Sequence, residues 1–99
     1  MMQGTTPTHK FTLPFDTEMV ADARIIYAQN ERVVLKKELK DCQCEANTIS
    51  VKLTQEETLK FRFPKSVQVQ VRVLTTGNEA VNSKIYTISV EECLDDEVL

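Results

Sequence analysis

The 99-residue sequence has no tryptophan, one histidine, two glycines and three prolines, and its three cysteines are an odd number. The scarcity of glycine and proline excludes collagen-like and low-complexity chains. Gly4 and Gly77 stand alone, so neither familiar phosphate-cradling loop can be assembled. Three cysteines do not make a secreted disulfide framework, which leaves reduced thiols as the default. No apolar run approaches the ~18 residues of a membrane span, and Met1 to Lys10 lacks the apolar centre of a secretory signal. The expectation is a chain made in the cytoplasm, with no membrane partner. A net charge of −3, from 12 basic and 15 acidic side chains, gives no electrostatic reason to expect nucleic acid.

What is present has the composition of one globular domain. Hydrophobic residues make up 41% and charged residues 27%, and a chain of this length buries about 65% of its unfolded surface. Alternation dominates. Val67, Val69, Val71 and Val73 are interleaved with Gln68, Gln70 and Arg72, which places β-branched side chains on one face of a half-buried strand. The same period appears in Phe11, Leu13 and Phe15, in Ala23, Ile25 and Tyr27, and in Val33 and Leu35. It recurs in Ile49, Val51 and Leu53, in Leu59, Phe61 and Phe63, and in a last strand over 85–90. Asn30-Glu31 suits a tight hairpin, Glu45-Ala46-Asn47 a turn, and Thr76-Gly77-Asn78 a glycine turn. Pro64 belongs at a strand end.

Two segments have helical features. Residues 31–40 are rich in good helix formers, but the adjacent Val33 and Val34 after a turn favour a strand. Thr54-Gln55-Glu56-Glu57 matches a capping box and predicts one helical turn between strands. The sum is an all-β chain: a single antiparallel β-sandwich of about seven strands over residues 1–90, immunoglobulin-like in architecture. An immunoglobulin-type disulfide is not expected, since Cys42 and Cys44 are too close in sequence to form it. Residues 91–99 form an acidic tail. Five of the 15 acidic side chains fall there, so residues 1–90 carry 12 basic against 10 acidic groups.

Catalytic chemistry finds little to work with. His9 has no cysteine or serine beside it and reads as a surface or strand-edge residue. Cys42 and Cys44 share a face if extended and, with Cys93 and His9, could in principle make a zinc site, but an unmatched pair reads better as small hydrophobes. The neighbouring carboxylates Glu56-Glu57 and Asp95-Asp96 point in different directions, unlike a convergent acid–base pair. No enzyme, no cofactor and no metal are expected. Two surfaces remain. Gln68, Gln70 and Arg72 form a polar stripe and Lys36, Lys37 and Lys40 a basic cluster; both read first as the wet face of a sheet, with a subunit interface as the alternative for the stripe. The tail suits a solvated terminus, or an acidic peptide in which Leu94, Val98 and Leu99 anchor it to a neighbouring subunit.

Several stretches resemble a group of small prophage proteins of Gram-positive bacteria encoded in structural gene clusters. They are residues Gly4 to His9, Val51 to Thr58, Val69 to Thr75 and Cys93 to Leu99. More distantly, the ordering of strands is similar to the N-terminal β-sandwich domain of phage baseplate upper proteins. The resemblance implies a non-enzymatic tail or baseplate component, partnered by other phage structural proteins and by itself, made in the host cytoplasm and carried in the virion. The alternatives are a soluble sandwich adaptor for a peptide or carbohydrate, for which two tyrosines and no tryptophan are a poor aromatic supply, and a small phage regulatory protein.

Overall fold

The computed structural model describes residues 1–99 and contains eight strands and one short helix: β1 (Thr8–Thr12), β2 (Val20–Gln29), β3 (Arg32–Glu38), β4 (Cys42–Glu45), β5 (Thr48–Lys52), α1 (Gln55–Leu59), β6 (Val67–Thr75), β7 (Ala80–Asn82) and β8 (Tyr86–Ile88). Every strand pairing is antiparallel. One sheet has the order β1-β5-β4; the other runs β3-β2-β6-β7, with β8 also on β6. The two sheets enclose one core of 14 buried apolar residues. The chain is therefore an all-β antiparallel sandwich, as its alternation predicts. No helix is long and apolar enough to cross a membrane.

The valine strand is the centre of the core. Val67, Val69, Val71 and Val73 are all buried, as are Ala23, Ile25 and Tyr27 opposite them on β2. Asn30 and Glu31 both take positive φ, 51° and 63°, the backbone that a two-residue hairpin turn needs to match strand twist. Between Tyr27 and Ala28 the β2–β3 register slips, so Leu35 faces Tyr27 while Val33 faces Ala28. This corrects one expected face: Leu35 is buried, but Val33 is 54% exposed, because an extra residue in one strand turns every side chain beyond it to the other side. Residues 31–40 do form a strand. It ends at a 3-10 turn over Leu39–Asp41, where the chain crosses to the second sheet.

The alternation of Leu59, Phe61 and Phe63 does not make a strand. The Thr54–Glu57 capping box is present in both directions and starts α1, which takes Leu59 with it. Beyond it the Gln29 side chain replaces a ladder partner. Its amide accepts from the Arg62 N–H at 2.8 Å and donates to the carbonyls of Arg62 and Lys65 at 2.9 and 3.0 Å. With those backbone groups satisfied by one side chain, the segment needs no neighbouring strand. Phe61 remains fully buried and Phe63 is 48% exposed.

The last predicted strand is shorter than expected and is the second half of an interrupted edge. Asn82 pairs with Arg72 and Tyr86 with Val69, so four steps on one side match three on the other. Ser83 fills the gap: its N–H donates to the Val71 carbonyl and its hydroxyl accepts from the Val71 N–H. Such a bulge breaks the flat edge that would otherwise template pairing with another chain. The expected count of about seven thus becomes eight, with β4 and β7 added and the segment around Phe61 removed.

Candidate interaction surface

The outer face of the larger sheet can be laid out row by row from its register. Glu38, Arg24, Arg72 and Asn82 form one row across β3, β2, β6 and β7. Lys36, Ile26 and Gln70 form the next, and Ala28, Gln68 and Thr87 the one beyond. On the other side of the arginine row lie Asp22, Leu74 and Ala80. The predicted stripe of Gln68, Gln70 and Arg72 is therefore one column of this face. Gln70 Nε2 donates to the Ser83 carbonyl at 3.0 Å, and Arg72 Nε donates to Asn82 Oδ1 at 3.1 Å. These bonds hold two of the three side chains in place, so less side-chain entropy is lost when something binds.

Arg24 and Arg72 stand directly opposite each other, and like charges in that position repel. Neither belongs to an ion pair; the two ion pairs of the molecule are Lys37–Glu57 and Lys40–Glu38. Beside the arginines the surface dips into a shallow depression of about 220 Å³, lined by Asp22, Arg24, Arg72, Leu74, Ala80 and Asn82.

The tail leaves from the opposite end of the sandwich. Val67 pairs with Ile88, and the chain then meets its own first residues. The Met1 nitrogen donates to the Ser89 carbonyl, while Glu91 exchanges backbone bonds with Met1 and Gln3. Gln3 Oε1 accepts from the Cys93 N–H at 3.1 Å. Past that point Leu94 is 97% exposed, Val98 half-exposed against Thr6, Lys52 and Gln55, and Leu99 99% exposed with its N–H on Gln55 Oε1. The stripe and the three apolar tail residues lie on separate surfaces, and the structure does not bring them together within one chain.

A second constellation lies inside the sandwich, and sequence reasoning did not find it. His9 on β1, an edge strand of its sheet, points inward, half-buried, with Nδ1 2.7 Å from the Tyr27 hydroxyl; the strand-edge part of the expectation holds and the surface part is corrected. The alternation of His9 with Phe11 on one face of β1 is the signal that could have revealed it. Tyr27 is itself fully buried between His9 and Phe61, with ring centroids at 5.6 and 5.7 Å. Burial first, then the Cys42 and Glu57 charges, push its hydroxyl well above the usual tyrosine range. Lys37 also departs from the expected basic cluster. It lies opposite Ile25, on the inward side of β3, and reaches Glu57 of α1 at 2.6 Å, whereas Lys36 faces outward.

Cys42 and Cys44 share a face, opposite Val51 and Ile49. Burial, then the neighbouring Cys44 and Asp41 charges, push the Cys42 thiol up to about 11, so it is protonated and a poor nucleophile near neutrality. Cys93 lies at the other end, against Gly4. No three His, Cys, Asp or Glu side chains are grouped to hold a metal. The His9–Tyr27 contact gives two buried polar groups a partner and satisfies the core.

No family model matches the chain, and no curated protein matches it. Among solved structures, the V domain of amphioxus IgVJ-C2 is similar at 13% identity and a TM-score of 0.37, over 90% of this chain and 95% of that one. The fold assignment rests on the strand pairing described above.

Proposed function

We propose that this chain is a non-enzymatic structural or assembly component of a phage tail or baseplate and works through protein–protein contacts. The observation that carries this reading is the tail: Leu94 and Leu99 stand almost wholly in solvent within a run of five carboxylates. Large apolar side chains left in water cost about 1.5–3 kcal/mol each relative to burial, and a neighbouring subunit would recover that. The stripe of Gln68, Gln70 and Arg72 offers a second, polar contact surface, two of whose three side chains are already held in place. The prophage resemblance supplies the setting, with synthesis in the host cytoplasm and incorporation into a particle.

Density-gradient fractionation of an induced lysate, with the chain traced by mass spectrometry, tests the proposal. Co-sedimentation with particles at several copies each is the expected result. Absence from intact particles that carry their other tail proteins would overturn it in favour of a soluble adaptor for a peptide or carbohydrate, or a regulatory protein.

A further inference from the structure

We propose that the Arg24–Arg72 row and the depression beside it receive the Leu94–Asp96 segment of a second copy of this chain. The inference rests on the protein-contact reading above and names the partner for one of its surfaces.

The receiving side is defined by an unmet electrostatic demand. Two guanidinium groups are opposed across β2 and β6 with no carboxylate in ion-pair range; Asp22, which edges the same depression, turns its Oδ1 to the Ala23 N–H instead. Glu38, which shares their row, is instead paired with Lys40 at 3.6 Å. Arg72 is oriented by Asn82. An arginine pair in this arrangement presents two planar donor forks, suited to two carboxylates. Beside the forks, Leu74 is 38% exposed and Ala80 is exposed, so the same site offers a small apolar seat.

The donating side has matching chemistry, an apolar side chain beside carboxylates. Leu94 is followed at once by Asp95 and Asp96, one apolar side chain and then two carboxylates. Leu94 makes almost no contact in its own chain. Asp95 Oδ1 accepts from the Glu97 N–H at 3.0 Å, which turns the segment locally. The body is mildly basic and the tail strongly acidic, so the long-range field steers one copy's tail toward another copy's body.

Geometry makes the contact intermolecular. The tail is tied at Cys93 to Gln3 and at Leu99 to Gln55, at the end of the sandwich where Val67 meets Ile88. At about 3.4 Å per residue along β6, Leu74 lies roughly 24 Å away, on the outer face of the sheet. Tail and receptor are different patches, so two copies can exchange tails about a two-fold axis, and a one-way contact closes into rings or propagates as chains.

Sedimentation velocity of the full chain, over a concentration series in low salt, tests this with a charge exchange. The variant R24E/R72E loses the receptor, and D95K/D96K loses the tail charge. All four positions are on the surface, so melting curves confirm that both variants fold, and R24Q/R72Q serves if a reversed receptor does not. The wild type is expected to self-associate, more weakly as salt rises. Each variant alone should associate at least about tenfold more weakly, and an equimolar mixture of the two should recover association, because the acidic tail of R24E/R72E meets the intact arginines of D95K/D96K and the basic tail of D95K/D96K meets the acidic receptor of R24E/R72E. A wild type that stays monomeric, association that survives R24E/R72E, or a mixture that fails to recover would each overturn the inference. A chain that is monomeric yet travels with particles removes this inference and leaves the proposed function standing; self-association by a chain absent from particles does the reverse.

Discussion

Lys37 Nζ and Glu57 Oε2 meet at 2.6 Å with side chains only 13% and 16% exposed, joining the edge strand β3 to the helix that closes one end of the sandwich. Lys37 is on the core side of β3, opposite Ile25, a position an isolated ammonium would not hold. Burial pushes the Glu57 carboxyl upward, but the Lys37 hydrogen bond and the Thr54 N–H together outweigh it and leave the carboxyl below its ordinary value of 4.5.

The substitution Glu57→Gln is therefore expected to destabilise the fold by about 1–3 kcal/mol, the cost of leaving a half-buried charge without its counterpart. The sign of the pH dependence follows from the depressed carboxyl. Its stabilisation is fully present above 4.5 and is lost as the pH falls from there through the folded-state value. Chemical denaturation at pH 7 and below pH 4 measures both, and a Glu57→Gln chain that keeps the wild-type midpoint at pH 7 contradicts the role given to the pair.

The His9–Tyr27 contact titrates in a different window. Burial first, and then the positive charge at Met1, hold the imidazole below its ordinary 6.5. The unfolded chain thus takes up a proton before the folded one does, and stability rises with pH between the folded value and 6.5. The melting temperature of the wild type should fall as pH drops from about 7.5 to about 5.5, and the same curve for His9→Gln should be flatter. Equal slopes would place His9 in solvent. Tyr27→Phe, which removes only the hydroxyl, is expected to cost about 0.5–1.5 kcal/mol.

Val69 and Val71, at 0% and 2% exposure in the middle of the central strand, are the test of the core. Truncation of either to alanine is expected to cost about 1–3 kcal/mol, from lost transfer energy and the void left behind. A loss below about half a kcal/mol in urea denaturation would show that these positions do not carry the packing assigned to them.

Glu31 occupies the second central position of the β2–β3 turn at φ 63°, where a side chain with a Cβ is strained by roughly 1–2 kcal/mol. Glu31→Gly relieves that strain and gives back part of it as unfolded-state entropy. The expected result is a net stabilisation of about 0.5–1 kcal/mol, read as a higher denaturation midpoint. A lower midpoint would mean that the glutamate side chain contributes more than its backbone costs.

The sandwich was legible because one physical rule writes itself plainly into the sequence: alternation on β2, β5 and β6 put their apolar residues inside. The Thr54 capping box was equally legible, being a local pairing of side chain and backbone. What escaped depends on long-range pairing. The slip at Tyr27/Ala28 sent Val33 outward, and no local pattern encodes which strand carries an extra residue; Lys37 shares the inward face of Leu35 by alternation, and its charge hid it. Gln29 capturing Arg62 and Lys65 dissolved an expected strand from 33 residues away. The stripe of Gln68, Gln70 and Arg72 was visible in the sequence as a column; Arg24, which gives the face its charge, became its neighbour only through the β2–β6 register.

The account stands or falls on the tail as a protein-binding element. Co-production of the full chain with a form ending at Cys93, each with a distinct mass tag, allows their ratio to be measured in the lysate and in gradient-purified particles. Cys93 is the last tail residue bonded to Gln3, so the shorter form keeps the Gln3 tie and gives up only the Leu99–Gln55 bond. The account predicts that the shorter form is depleted in particles by at least about tenfold relative to the lysate, equivalent to ~1.4 kcal/mol of lost contact energy. Incorporation of both forms in their lysate ratio would contradict it.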